Sequence, residues 1–600
     1  MKSTGQHSLS RNKRSFFPAG FRPAVSFQFH RISLGAMRLG CSLPRLLPLI
    51  LAGLSAAHAQ TAPDAGSLQQ QIERERRQPL PRKVLPEIPA EPAALKPPVG
   101  ATVVVHAFRF AGNTLFSAEQ LASAVASYLD RPLDFAQLQA ATLAVAKRYR
   151  DAGWIVRTYL PEQDIAGGIV TIQVVEAVFG GARLEGPAAT RLAFSRISAM
   201  VEAQQRTGEP LNADAVDRAL LLAEDLPGVS VTGSLSEGAR KGESELVIRM
   251  ADKALVSGDA ALDNTGSRST GPDRLAVNLA LGSALGSGDL LSGSAIHTAG
   301  SDYLRLGATA PVGPHGWRLG ASASHLDYKL VSPDFIALHG KGTSDTMGME
   351  ASYALIRARM DNLYFNANLD HKAFDNQSGG AVTTHYHTDT LTLAVNGNLF
   401  DNLGGGGTNT ANLALVAGEV NLDASPNQAA DASTTRSAGR FAKLRYGANR
   451  QQVLSQDLAL YAAFSGQSAN KNLDSSEKFY LGGAGGVRAY PSSEGGGSEG
   501  RMVNLELRLR LPQGFNLAGF YDYGQVTVNR DNGYPGAPAL NHFSLGGAGL
   551  SLAWQTVSSI TLKATGARRI GSNPNPTPTG NDQDGTLVKN RWWLTAGLPF

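Results

Sequence analysis

From about Lys253 to the C-terminus, apolar and polar residues alternate with a period of two. Between Asp273 and Gly282, Leu275, Val277, Leu279 and Leu281 share one face, while Ala276, Asn278 and Ala280 share the other. Leu363, Phe365, Ala367 and Leu369 alternate with Tyr364, Asn366, Asn368 and Asp370. Leu505, Leu507, Leu509 and Leu511 alternate with Glu506, Arg508 and Arg510. Successive side chains of a strand point to opposite faces, so this spacing predicts strands with one apolar and one polar face. A soluble antiparallel sandwich would alternate in the same way. Here, however, the apolar face is rich in leucine throughout, and the opposite face carries charged and amide groups, as a wet lumen would. Long glycine-rich polar segments separate some of the strands. These features fit an all-β transmembrane antiparallel barrel, which leaves no sheet edge open to lipid. At about 22 residues per strand and loop, residues 253–600 hold about sixteen strands.

The chain ends in RWWLTAGLPF, which sets Trp592, Leu594, Ala596, Leu598 and Phe600 on one face. An apolar stripe closing on a terminal aromatic fits a lipid-facing last strand. It also resembles the assembly signal of bacterial outer-membrane barrels, with Trp592, Leu598 and Phe600 as its marked positions.

Ahead of residue 253 the period changes to that of helices. Residues 101–177 read β-α-α-β-β: TVVVHAFRF as a strand, two helical stretches, then WIVRTYL and IVTIQVVEAV as strands. Ser117 with Gln120 three residues on forms a capping box for the first helix, and Gly153 suits the end of the second. The same order recurs over 178–252, so a small α+β module repeats at about 75 residues. Further upstream, residues 60–78 contain a short polar helix, DAGSLQQQIERERRQ, with too few apolar positions to stand alone in water. Residues 79–100 are an extended proline-rich tether, with seven prolines in the twenty residues from Pro79 to Pro98.

The first 59 residues read as a secretory signal peptide, with Arg38 and Arg45 before an apolar run from Leu46 to Leu54. Ala57-His58-Ala59 supplies the cleavage pattern. Met37 is a second possible start, with residues 1–36 otherwise an extended basic leader. A lipid-anchor reading of Leu39-Gly40-Cys41 is weaker, because no apolar run precedes the cysteine. Cys41 is the single cysteine of the chain, so the exported protein would carry no disulfide. Lysine and arginine number 55 against 50 acidic residues, a net charge of +5 over 600 residues. That balance argues against a dedicated nucleic-acid binder. A mean hydropathy of −0.14 argues against a helical membrane protein.

Little in the sequence points to catalysis or to a cofactor. Gly496-Gly497-Ser498-Glu499-Gly500 matches GxSxG but lacks the strand–elbow–helix context of a nucleophile. His385 and His387 share a strand face without a third ligand nearby in sequence, which favours paired polar residues over a metal site. The glycines at 404–407 lack the Lys-Ser/Thr of a phosphate loop.

Leader, short helix, tether, two small modules and a terminal barrel resemble, as a series, the two-partner secretion transporters of the haemolysin-activator type (the TpsB transporters). AGWIVRTYLPEQDIAGGIVTIQVVEA (152–177) is similar to the end of that family's first POTRA domain. EKFYLGGAGGVRAYP (477–491) resembles its inward-folded loop, and FYDYG (520–524) its F-x-D-x-G strand element. The resemblance implies two periplasmic POTRA domains, 101–177 and 178–252, before an outer-membrane barrel. The function it implies is export, without ATP, of a large TpsA-like adhesin, haemolysin or toxin captured by the POTRA domains. Outer-membrane lipid and the barrel-assembly machinery would be further partners. An insertase for other barrels, a passive porin and an outer-membrane enzyme are the alternatives; the first usually carries more POTRA units, and porins carry none. The helix at 64–78 would plug the lumen, with Glu73, Arg74, Glu75, Arg76 and Arg77 facing wall charges such as Glu506, Arg508 and Arg510. In the loop motif Val487-Arg488-Ala489-Tyr490, alanine stands where the family has glycine, and a positive φ there would strain Ala489. A buried arginine needs an anion, and its planar fork matches a carboxylate. Asp522 shares a strand face with Phe520 and Gly524, so the expected latch is an Arg488–Asp522 pair.

Overall fold

A computed structural model of the chain describes residues 63–75, 102–165 and 167–600. The leader, the proline tether, Arg76 and Arg77 lie outside the described residues. The N-terminal helix runs Ala65–Glu75.

The first module places Ala107–Ala111 parallel to Ile169–Glu176, with Val156–Tyr159 antiparallel on the other side of that central strand. Helices Ala118–Val125 and Phe135–Arg150 pack on this sheet through Leu121, Val125, Val145 and Tyr149 against Ile172 and Val174. Each helix begins in a capping box, Ser117 with Gln120 and Asp134 with Gln137. These satisfy N–H groups that the first turn leaves unpaired. Gly153 turns the chain at φ +80°. Glu176 accepts hydrogen bonds from the backbone of Thr114 and Leu115 and from the Tyr149 hydroxyl. Burial would raise its carboxyl, but these donors outweigh burial and hold it below its ordinary value. The second module repeats the plan: Val178–Leu184 parallel to Glu243–Asp252, Val229–Glu237 antiparallel beyond, helices Phe194–Gln204 and Ala213–Glu224 on one face.

The barrel is one closed antiparallel sheet of sixteen strands. It begins at Val256–Asp263 and closes when Asn590–Pro599 pairs back onto that strand. Phe600 then exchanges both backbone hydrogen bonds with Gly258 at 2.9 Å. A Cβ at Gly258 would lie 2.8 Å from the Phe600 ring, so this glycine makes room for the terminal aromatic. Trp592, Leu594, Leu598 and Phe600 all face outward and are exposed to the lipid side, as are Leu304, Leu369 and Leu550. Trp317 stacks on Tyr353 at 4.7 Å, and Phe515 on Trp554 at 5.4 Å; both pairs lie beside the short turns at the barrel end from which the two modules lead in, where amphipathic rings mark a membrane interface.

The second module is seated on turns at that end. Arg357 forks onto Asp225 at 2.7 and 2.8 Å, and Arg359 onto Asp217 at 2.7 Å. Arg196 reaches the Ser287 carbonyl at 2.7 Å. A Cβ on Gly228 would lie 2.4 Å from the Gly282 carbonyl oxygen, so backbone meets backbone there. Replacing Asp225 by Ala leaves the buried Arg357 without its carboxylate. A cost of about 2 kcal/mol is expected once the partial exposure of Asp225 is discounted. Spin-label distances between the second module and the barrel should broaden in Asp225→Ala; an unchanged distribution would show that these pairs do not set the angle.

Candidate functional site

The lumen is filled by two pieces of the chain itself. One is the segment between strands Leu458–Ala469 and Glu499–Arg510, which folds inward. The other is the helix Ala65–Glu75.

The inward segment is built around glycine. A Cβ on Gly482 would lie 2.0 Å from the Pro491 carbonyl oxygen, and one on Gly486 2.1 Å from that of Leu481. Backbone passes backbone at these two points, so no side chain fits. Beyond them, the N–H of Val487 donates to the Leu481 carbonyl at 2.8 Å and that of Tyr490 to the Val487 carbonyl at 3.1 Å, which tightens the tip. Val487, Ala489 and Tyr490 are buried against Leu481, Phe520 and Leu545.

At the tip, Arg488 Nε and Nη2 meet the two oxygens of Asp522 at 2.8 and 2.7 Å, and its own backbone N–H donates to Asp522 at 3.1 Å. Nη1 reaches Glu506 at 2.7 Å. The guanidinium also lies 3.5 Å from the centre of the Phe520 ring, within cation–π reach. Asn504 donates to Asp522 at 2.8 Å, and Trp593 Nε1 donates to the Arg488 carbonyl at 2.8 Å. Asp522 is fully buried and Arg488 is 6% exposed. A pair this deep stands only when its remaining donors and acceptors are also met, as they are here.

The F-x-D-x-G element on Phe515–Thr527 thereby acquires three physical roles: ring face from Phe520, acceptor from Asp522, and clearance from Gly524. A Cβ at Gly524 would lie 2.6 Å from a methyl of Leu481 in the inward segment. Ala489 does not adopt a positive φ, so the strain expected at this position is absent. Its methyl instead lies 2.7 Å from where a Cβ on Gly547 would stand, so the wall glycine leaves room for the loop alanine.

The helix rests on the inward segment as well as on the wall. Gly66 packs where a Cβ would lie 2.8 Å from Ser475 Oγ. Arg74 donates to the carbonyls of Tyr480 at 2.6 Å and Gly482 at 3.0 Å, and Gln70 to that of Lys478 at 3.0 Å. Among the described residues, Glu73 and Glu75 do not pair with Arg508 or Arg510 as the sequence led us to expect. Glu506 is occupied by Arg488 and Arg508. Glu73 pairs with Lys372 at 3.0 Å and Glu75 with Arg274 at 2.7 Å. Lys372 continues to Glu477 at 3.3 Å, and Glu477 to Lys443 at 2.6 Å, a buried chain of alternating charge. Burial alone would raise Glu477, but the Lys443 and Lys372 ammonium groups, with Arg445 nearby, hold it down at about 2. Neither lysine was singled out from the sequence. The usable signal was a lysine on a lumen-facing position of an otherwise amide-lined strand.

The residues set aside as unreactive have structural partners. Ser498 is fully buried; its hydroxyl accepts from the Leu473 N–H at 3.1 Å and donates to the Val528 carbonyl at 3.2 Å. His385 pairs with Asp375 at 3.0 Å, and the His387 ring lies 5.4 Å from that of His371. Among the described residues no group of three His, Cys, Asp or Glu is placed to hold a metal.

Residues 242–552 match the family model described as haemolysin secretion/activation protein ShlB/FhaC/HecB, and residues 103–177 match that of the ShlB-type POTRA domain. The chain is similar to the heme/hemopexin transporter protein HuxB of Haemophilus influenzae, 25% identical over 490 residues, 80% of this chain and 84% of that protein. It is also similar to the outer membrane transporter CdiB of Dickeya dadantii, 25% identical over 419 residues, 68% of this chain and 72% of the relative. The solved structure of CdiB from Escherichia coli shares the fold at a TM-score of 0.67 and 20% identity, covering 90% of this chain and all of that one.

Two outcomes are expected at this site. Asp522→Ala removes the forked partner of Arg488 and leaves it Glu506 alone, a loss of about 3 kcal/mol, the low end for a broken buried pair. It should leave segment 481–491 open to protease from outside the cell while the barrel remains heat-modifiable on gels; continued protection would count against a latch. The second concerns pH. The folded value of Glu477 is depressed, so its contribution to the occluded arrangement is whole above pH 4.5 and lost as pH falls toward about 2. Single-channel conductance in planar bilayers should therefore stay low from pH 7 to 5 and rise below it, whereas Glu477→Gln should conduct at pH 7.

Proposed function

The chain belongs to the haemolysin secretion/activation protein family, ShlB/FhaC/HecB, and from that premise we propose how its parts divide the work. It is an outer-membrane transporter that exports a partner protein by two-partner secretion, with its POTRA modules in the periplasm. The partner is a large TpsA-like adhesin, haemolysin or toxin that reaches the modules unfolded. Edge strands of the two module sheets, Val156–Tyr159 and Val229–Glu237, suit capture by strand addition, which asks little of the partner's side-chain sequence. The rigid seat of the second module on the barrel turns would hold the captured chain at the periplasmic mouth. Residues 60–78 act as the plug and 79–100 as the tether that lets it leave.

The observation that carries this reading is the filling of the lumen. Helix and inward segment each pack a small apolar patch, and are held besides by ion pairs and by hydrogen bonds to backbone carbonyls, contacts that water replaces when the helix withdraws. An arriving chain displaces the helix, and Arg488 keeps the inward segment anchored or releases it. No nucleotide is required, and folding of the partner outside supplies the direction. The barrel-assembly machinery inserts the protein by its C-terminal stripe of Trp592, Leu598 and Phe600. The transport role rests on no catalytic residue and no cofactor.

A cysteine lock tests the displacement step. A Cβ on Gly66 would stand 3.1 Å from that of Ser476, slightly inside the usual span of a disulfide, about 3.5–4.5 Å. The pair Gly66→Cys with Ser476→Cys should form a bond that stops export of a co-expressed partner, and reductant should restore it. Export that continues at the wild-type rate with the bond closed would falsify plug displacement.

A further inference from the structure

One stretch of the outer barrel wall is concave. It spans seven neighbouring strands, from Ser301–Val312 to Gly439–Val453 by way of Trp317–Lys329, Lys341–Arg357, Asp361–Ser378, Ala381–Asp401 and Gly407–Asn421, and forms an open groove of about 1000 Å³. Its floor is low because the outward positions Ala308, Ala321, Ala323 and Ala417 are small. Its walls are Leu306, Met347, Met349, Leu369 and Leu391. Met347 and Met349 are each 68% exposed, and unbranched thioether side chains adapt to an irregular apolar guest.

The groove has a polar end, and that end points outward from the cell. Two residues beyond Ala323 and Met347 on the same faces, His325 meets Asp345 at 2.7 Å. One strand further on, His371 meets Asp389 at 2.7 Å. Beyond these pairs, Lys329 and Lys341 stand directly opposite each other across the two strands, both exposed. Neither has a carboxylate partner among the described residues. Like charges in that register repel unless an anion lies between them.

A methylene-lined trough ending in a line of His–Asp hydrogen-bonded pairs and then, past Asp327, in a lysine pair has the polarity of a lipid standing in the outer leaflet. The lysines lie four residues beyond His325, about 13 Å along the strand. A single phosphate at the groove margin does not span that distance; a headgroup of several sugars bearing anionic groups does. We propose that this wall is a binding site for one acylated, phosphorylated glycolipid of the outer leaflet, with acyl chains in the alanine-floored groove and its anionic headgroup on Lys329 and Lys341. Charge complementarity and the length of the polar end select this guest over a zwitterionic phospholipid or a second copy of the chain. The site lies outside the lumen and does not depend on what passes through it.

The test uses the full-length protein in mild detergent, titrated with purified lipid A carrying its inner sugars, with dephosphorylated lipid A and with phosphatidylethanolamine, and read by native mass spectrometry. Wild type should hold one phosphorylated glycolipid and neither of the other two at the same concentration. Lys329→Gln with Lys341→Gln should weaken that binding about 30-fold, the effect of two surface lysines on an anionic lipid. Ala321→Leu, which fills the floor, should abolish it, while Ala548→Leu on the far wall should not. Equal binding of all three lipids, or no effect of either the lysine or the groove substitution, overturns the proposal. So does a change from dimer to monomer on filling the groove, which would assign the face to a second copy.

Discussion

A sheet closed over sixteen strands encloses more space than its own side chains fill. Nearly everything distinctive in this molecule follows from that constraint. The lumen is occupied by the helix Ala65–Glu75 and the inward segment. Part of the closure is apolar: Ala65 and Leu68 of the helix pack with Phe374 and Tyr386, and Val487 and Tyr490 of the inward segment with Phe520 and Leu545. Beside it stand charge–charge pairs and donors aimed at carbonyls: Arg488 on Asp522 and Glu506, Glu73 through Lys372 and Glu477 to Lys443, Arg74 on Tyr480 and Gly482. Each is strong while desolvated and nearly neutral once water enters. The barrel interior thus holds the helix partly by interactions that water weakens.

The alternation of leucine with amide and charged residues made the strands countable, because a barrel strand has a lipid face and a wet face throughout its length. The capping boxes at Ser117 and Asp134 are local signals, and such signals survive without knowledge of tertiary context. Arg488 and Asp522 were legible for a different reason. Each belongs to a short recurrent pattern, and a buried arginine has few chemical options. The partners of the helix charges were not legible. Glu73 and Glu75 find Lys372 and Arg274 because of where the helix lies around the circumference, and strand spacing carries no information about that angle. The Arg357–Asp225 and Arg359–Asp217 forks escaped notice for the same reason: each joins residues more than a hundred positions apart across two domains.

Those forks bear on how the periplasmic part communicates with the pore. The second module touches barrel turns through backbone at Gly228 and Gly282, where no side chain can cushion movement. The forks attach the same module at the turn joining the strands Lys341–Arg357 and Asp361–Ser378. The second of these carries Lys372, the wall partner of Glu73 on the N-terminal helix. One strand thus links the seat of the module to a contact that holds the helix.

The alanine in the inward motif has a consequence of a different kind. Its methyl occupies space that exists only because position 547, on a strand more than fifty residues away, is glycine. The two positions are sterically coupled: a side chain at 547 would need the space that the Ala489 methyl fills. A foreign inward segment set into this barrel would therefore have to carry alanine or glycine at position 489, a demand made by a remote wall residue and not by the loop itself.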